Sequence, residues 1–128
     1  MNDNEKFARG VADFNAERFF EAHEVWEELW LAAAEPEKTF LQGLIQVAAA
    51  FHHLGRKNGR GAQSLLAAGI AKLAGCPDDF RGMAIAELRK EVYHWAEMLR
   101  SEKEPESRNL PKIHATAGRP EKENAAGE

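Results

Sequence analysis

The stretch His23-Glu24-Val25-Trp26-Glu27-Glu28-Leu29-Trp30 decides how this chain folds. Aromatic and aliphatic residues recur in it every three or four positions, the spacing that puts them on one face of an α-helix. At about 100° per residue, Glu27 falls about 40° from His23 and Trp30 about 20° from it on the other side. The wheel therefore predicts an imidazole and a carboxylate inside an aromatic, buried arc. Buried ionisable groups are costly unless they are paired or ligated, so the octet predicts a site.

The rest of the composition is typical of one soluble globular domain. The chain has 128 residues, of which 44% are hydrophobic and 30% charged. Its net charge of −4 argues against nucleic-acid binding, which needs a basic surface. The single cysteine, Cys76, excludes an internal disulfide. The longest apolar run, residues 47–51, is far below the roughly 20 residues of a membrane span, and no apolar leader follows Met1. We therefore predict a cytoplasmic protein with no membrane contact.

Helical periodicity dominates the chain and predicts an all-α fold, a compact bundle of about five helices within residues 1–100. The predicted helices are 4–14, 16–33, 36–56, 61–74 and 83–99. Asn15 is the expected N-cap of the second helix, and Pro36 suits the first turn of the third. From residue 101 to 128 the chain is charged and poor in large apolar residues, which predicts a disordered tail. Within that tail, only Leu110-Pro111-Lys112-Ile113 is expected to dock.

The third predicted helix carries a polar line that could complement the octet. Gln42, Gln46 and His53 fall within about 40° of one another on its wheel. Small side chains such as Gly43 flank this line and would let another helix come close. Because a short connection favours antiparallel neighbours, we expect the second and third helices to pack so that the His23–Glu27 pair faces the line.

These groups predict a ligand site between the two helices. Two imidazoles and a carboxylate match the preferences of Zn²⁺, Fe²⁺ or Mn²⁺, and three protein ligands would leave a position open for water or substrate. The predicted ligands of a divalent metal ion or small polar ligand are His23, Glu27 and His53, and the groups that would orient them are Gln42, Gln46 and Trp30. The competing interpretation is a metal-free hydrogen-bond network that only fixes helix register.

Two further patterns leave other functions open. A row of carboxylates on the second helix, at Glu17, Glu21, Glu24 and Glu28, is either a solvated face or a docking strip for a basic protein partner. A non-enzymatic interaction module would use that strip, and a homo-oligomer is also compatible with so small a helical domain. A remote alternative is a helical ribonuclease using Arg89 and His94, although the acidic net charge argues against RNA.

Two blocks of sequence, residues 19–30 and 40–48, together with His53, Asn58 and Gly61-Ala62, resemble domain-of-unknown-function family 309. The resemblance extends over residues 14–99. It implies a small all-helical bundle whose hallmark is a His-x3-Glu-x2-Trp pattern, filled here by His23, Glu27 and Trp30. Metal binding is suspected in the family because of this pattern, but the resemblance brings no established reaction.

Overall fold

The computed structural model describes residues 1–101 and 109–116, and over this part of the chain it contains five α-helices. They are α1 (Asp3–Asn15), α2 (Phe19–Ala32), α3 (Glu37–Gly55), α4 (Gly59–Leu73) and α5 (Ile85–Arg100). Two short strands, β1 (Asp79–Phe80) and β2 (Met83–Ala84), pair antiparallel between α4 and α5. Helix α3 packs against α2 on one side and α4 on the other, and α1 covers α2.

The predicted all-α bundle is confirmed, and the predicted helices differ from the observed ones by only a few residues at each end. The assignment of Asn15 as the N-cap of α2 is wrong, because Asn15 is the last residue of α1 and α2 begins four positions later. The small β-hairpin was not predicted, since two-residue strands leave no periodic signal. Among the described residues, no helix has both the length and the apolar character needed to cross a membrane.

Trp26 lies at the centre of the core and exposes none of its surface. Its indole Nε1 donates a hydrogen bond to the backbone oxygen of Phe7 in α1 at 3.3 Å. The indole ring also lies 6.1 Å from the ring of Phe14, centroid to centroid. A Cβ atom at Gly10 would lie 2.0 Å from Trp26 Nε1, so only glycine lets α1 approach the indole this closely. One aromatic side chain therefore sets how α1 and α2 pack.

The closest approach of α3 is to α4 through two glycines. A Cβ atom at Gly43 would lie 2.8 Å from Leu73 Cγ, and one at Gly69 would lie 2.9 Å from Val47 Cγ2. The expectation that Gly43 lets another helix come close is therefore confirmed, and that helix is α4.

Residues 109–116, which we call the strap, run back across the bundle. The predicted docking of Leu110-Pro111-Lys112-Ile113 is confirmed, with Ile113 only 2% exposed. The Asn15 side chain binds both backbone groups of Ile113. Its Nδ2 donates to Ile113 O at 2.9 Å, and its Oδ1 accepts from Ile113 N at 2.8 Å. The disorder expected for the tail concerns residues 102–108 and 117–128, which lie outside the described part of the chain.

The contact between Gly10 and Trp26 predicts a sharp difference between two glycine substitutions. Gly10→Ala forces a methyl group into the indole, and we expect it to lower the free energy of unfolding by about 1–3 kcal/mol despite the better helix propensity of alanine. Gly55→Ala is the matched control, since a Cβ atom there meets nothing within 4 Å. We expect it to be neutral or to stabilise by up to about 1 kcal/mol. Urea unfolding of both variants checks this, and equal effects would contradict the packing described.

Burial predicts an unreactive Cys76. Removal from water raises the pKa of its thiol from 9.0 to about 11, although the nearby Arg89 guanidinium opposes the shift. At pH 8 the folded protein therefore holds about a hundredfold less thiolate than an ordinary cysteine, and the thiolate is the reactive form. We expect alkylation by iodoacetamide at pH 8, followed by mass spectrometry, to be much slower in buffer than in 8 M urea. Similar rates in the two solutions would show that the thiol is accessible.

Candidate functional site

The buried face of α2 is not centred on His23. It consists of Phe19, Ala22, Trp26 and Leu29. The mean direction of these four residues lies about 80° from His23 on the helical wheel, so His23 falls at the edge of the buried face. The His23 side chain is 23% exposed, and that of Glu27, farther round the helix, is 50% exposed. The prediction of a buried carboxylate is therefore wrong for Glu27, whose side chain reaches solvent.

His23, Glu24 and Glu27 form a group that we call the α2 cluster. One nitrogen of His23 and one carboxylate oxygen from each glutamate lie within 4.8 Å of one another. His23 Nε2 lies 3.4 Å from Glu27 Oε2, and His23 Nδ1 lies 3.9 Å from Glu24 Oε2. The sequence assigned Glu24 only to the acidic strip. Its position next to His23 in the chain was the signal that could have placed it in the cluster.

The ring of His23 is held in place by its surroundings. It stacks on the ring of Phe20 at 5.8 Å between centroids and 29° between planes. Phe20 in turn lies 5.3 Å from the ring of His52 on α3. His23 Nδ1 is buried and has no hydrogen-bond partner among the described residues. The imidazole is therefore oriented by aromatic contacts and by its two glutamate neighbours rather than by a closed network.

His53 does not belong to the α2 cluster, because its Nδ1 lies 3.1 Å from Asn58 Nδ2. The Asn58 Oδ1 accepts a hydrogen bond from Gly61 N at 3.0 Å, which identifies the other side-chain atom as the NH₂ donor. His53 Nδ1 is then the acceptor, and the neutral ring carries its proton on Nε2. Of the three predicted ligands, the structure brings His23 and Glu27 together and places His53 in the last turn of α3, beside the connection to α4.

The connection between α1 and α2 has the same geometry, which supports a structural role for His53. Asn58 N donates to His53 O at 2.9 Å, and Arg18 N donates to Asp13 O at 2.8 Å. Both connections also contain a residue with positive φ, Lys57 at 63° and Glu17 at 65°. A side-chain pair spans each of them, His53 with Asn58 and Asp13 with Arg18. His53 thus corresponds to Asp13 and closes the end of its helix.

The predicted orienting groups are spread over several contacts. Gln46 Oε1 accepts a hydrogen bond from Lys72 Nζ of α4 at 3.4 Å, so this amide is engaged with α4. Gln42 is half-buried on α3. Trp30 is half-buried beneath Lys38, whose Nζ lies 4.1 Å from the ring centroid. The Trp30 indole Nε1 is buried without a hydrogen-bond partner among the described residues. Their role in orienting a ligand stays a prediction.

The acidic strip is partly neutralised by the protein's own cations. All four of its members, Glu17, Glu21, Glu24 and Glu28, are exposed. Glu28 pairs with Lys6 of α1 at 3.4 Å, and Glu17 pairs with Lys112 of the strap at 3.8 Å. Arg9 of α1 borders the same depression as the middle of the strip. The row is therefore less negative than the sequence suggests, and partner binding there stays a prediction.

Arg89 and His94, the residues of the ribonuclease alternative, occupy different places. The Arg89 guanidinium donates to Cys76 O at 2.7 Å and Leu73 O at 3.3 Å, and it pairs with Asp78. It therefore closes the C-terminal end of α4. His94 is exposed and borders a separate depression beside the strap. The structure does not assemble the two into one site.

Comparison with known proteins supports the resemblance drawn from the sequence. Residues 7–65 match the model of a family described as a domain of unknown function (DUF309), which confirms the resemblance to that family. This match includes α2, α3 and the whole α2 cluster. An uncharacterized protein of Aquifex aeolicus (strain VF5) is 35% identical over 77 residues, which are 59% of this chain and 23% of that protein. The matched stretch is thus less than a quarter of the relative, whose description states no activity.

The role assigned to Asn58 predicts a loss of stability. Asn58→Ala removes the N-cap of α4 and the partner of His53, and we expect it to lower the free energy of unfolding by about 1–2 kcal/mol. Arg60→Ala, an exposed position in the same turn, is the control and should change it by no more than about 0.5 kcal/mol. Thermal or urea unfolding checks both. An Asn58→Ala variant as stable as the wild type would contradict the assigned hydrogen bonds.

Proposed function

We propose that the chain binds a divalent transition-metal ion at the α2 cluster, with His23, Glu24 and Glu27 as ligands. The observation that carries the proposal is the approach of one nitrogen and two carboxylate oxygens to within 4.8 Å of one another. The proposal keeps two of the three ligands expected from the sequence and replaces His53 by Glu24. It concerns this domain alone.

The distances and the ligand types suit such an ion. Zn²⁺ bound to imidazole nitrogen and carboxylate oxygen at about 2.0–2.1 Å in a tetrahedral site keeps neighbouring ligand atoms roughly 3.3 Å apart. The 3.4 Å between His23 Nε2 and Glu27 Oε2 is close to that value. One imidazole with two carboxylates also suits Fe²⁺ and Mn²⁺. A cation would remove the repulsion between the two glutamates, which are three positions apart on one helix.

The protein fixes the orientation of the nitrogen ligand more firmly than that of the two oxygen ligands. His23 is oriented by its stacking on Phe20, while Glu24 and Glu27 have exposed side chains that can rotate toward an ion. Because all three ligands come from one helix at the surface, the far side of the ion would face solvent. An ion held in this way supplies open positions for water or another small polar ligand.

Titration with ZnCl₂ by isothermal calorimetry, repeated with MnCl₂, tests the proposal. We expect one ion per wild-type chain, and a loss of affinity of about tenfold or more in His23→Ala and in Glu27→Gln. His94→Ala removes an exposed histidine outside the cluster and should leave the affinity within about twofold. An unchanged metal affinity in His23→Ala would contradict the proposal.

The variant His53→Ala distinguishes the α2 cluster from the ligand set expected from the sequence. In the structure His53 Nδ1 is engaged with Asn58, so we expect His53→Ala to lose stability but to keep its affinity for Zn²⁺. A drop in the affinity for Zn²⁺ as large as that of His23→Ala would show that His53 is a ligand. Circular dichroism of every variant ensures that the comparison is made between folded proteins.

A further inference from the structure

The strap binds to the bundle in the way that an extended peptide binds to a receptor. The side-chain amide of Asn15 forms hydrogen bonds with both the N–H and the C=O of Ile113 in the strap. Farther along, His114 O accepts from Ala84 N at 2.7 Å, and Thr116 N donates to Gly82 O at 2.7 Å. These bonds add the strap to the β1–β2 hairpin in antiparallel fashion, with Met83 opposite Ala115.

The side chains of residues 111–114 alternate between buried and more exposed positions, as they do in a bound strand. Pro111 and Ile113 are buried, whereas Lys112 between them is half-exposed and His114 is exposed. Main-chain hydrogen bonds supply affinity in such a mode, and pockets for alternate side chains supply specificity. We call the surface of the bundle that buries Pro111 and Ile113 the groove.

The groove is built from parts of the chain that are far from the strap in sequence. Asn15 is 98 positions from Ile113, and the hairpin precedes α5. Only eight residues, 101–108, join α5 to the strap. Every contact in the groove is therefore a contact between separate surfaces, and none of them depends on which copy of the chain supplies the strap.

We propose that this groove is an interface between two copies of the chain, in which each copy docks its strap, with Ile113 at the centre, into the groove of the other. The contacts are the same as those within one chain, so exchange costs no interaction. The closed form is favoured at low concentration because a short tether keeps its own strap at an effective concentration of about millimolar. The exchanged dimer should therefore accumulate as the protein concentration rises.

Mixing two full-length variants tests the exchange. Ile113→Asp leaves the groove intact but prevents its own strap from docking, and Asn15→Ala leaves the strap intact but removes the clamp. In an equimolar mixture near 1 mM, the strap of the Asn15→Ala chain should enter the groove of the Ile113→Asp chain. Native mass spectrometry should then show more heterodimer than either homodimer. Each variant is also measured alone at the same concentration. A mixture that stays monomeric would overturn the proposal, and so would dimers that are equally abundant in the mixture and in each variant alone.

A labelled peptide with the sequence of residues 109–116 gives an independent measurement. It should bind the full-length Ile113→Asp chain at least about tenfold more tightly than the wild type, whose groove is filled by its own strap. The same peptide with aspartate in place of isoleucine should not bind. If Ile113→Asp fails to fold, Ile113→Ala replaces it, because that change removes most of the buried side chain without placing a charge in the core. No peptide binding by the folded variant would also overturn the proposal.

Discussion

The fit of the Trp26 indole against Gly10 is the contact on which the rest of the structure depends. The indole fills the space between α1 and α2, and its Nε1 is tied to the backbone of Phe7. A rigid, fully buried ring leaves little freedom for α2 to rotate about its own axis. Because that rotation is fixed, so is the direction of every other side chain on α2, including those of the α2 cluster.

The rotation of α2 determines what kind of site the α2 cluster can be. If His23 and Glu27 lay at the centre of the buried face, both would need partners inside the core, since unpaired buried charges are costly. Instead His23 lies at the edge of the buried face and Glu27 extends into solvent. A cluster in this position is open to ions from solution and carries little desolvation penalty, which favours an accessible metal site over a closed structural network.

Several polar residues to which the sequence pattern assigned other roles lie at the ends of the helices. His53 and Asn58 close the connection between α3 and α4, as Asp13 and Arg18 close the one between α1 and α2. Asn15, at the end of α1, binds the strap instead of capping α2. In each case a polar side chain at a helix end pairs with a group of the adjoining connection or of the strap.

The sequence by itself determined the five helices, the docking of the segment around Ile113 and the His23–Glu27 pair, because helical periodicity and i, i+4 spacing are local properties. It could not determine which helix fills the space beside Gly43, nor where Asn15 finds its partner. These depend on residues distant in sequence, such as Leu73 and Ile113. Only the tertiary structure decided that α2 buries the side containing Ala22 and Leu29, since a helical wheel cannot tell which part of a broad apolar arc the rest of the fold will cover.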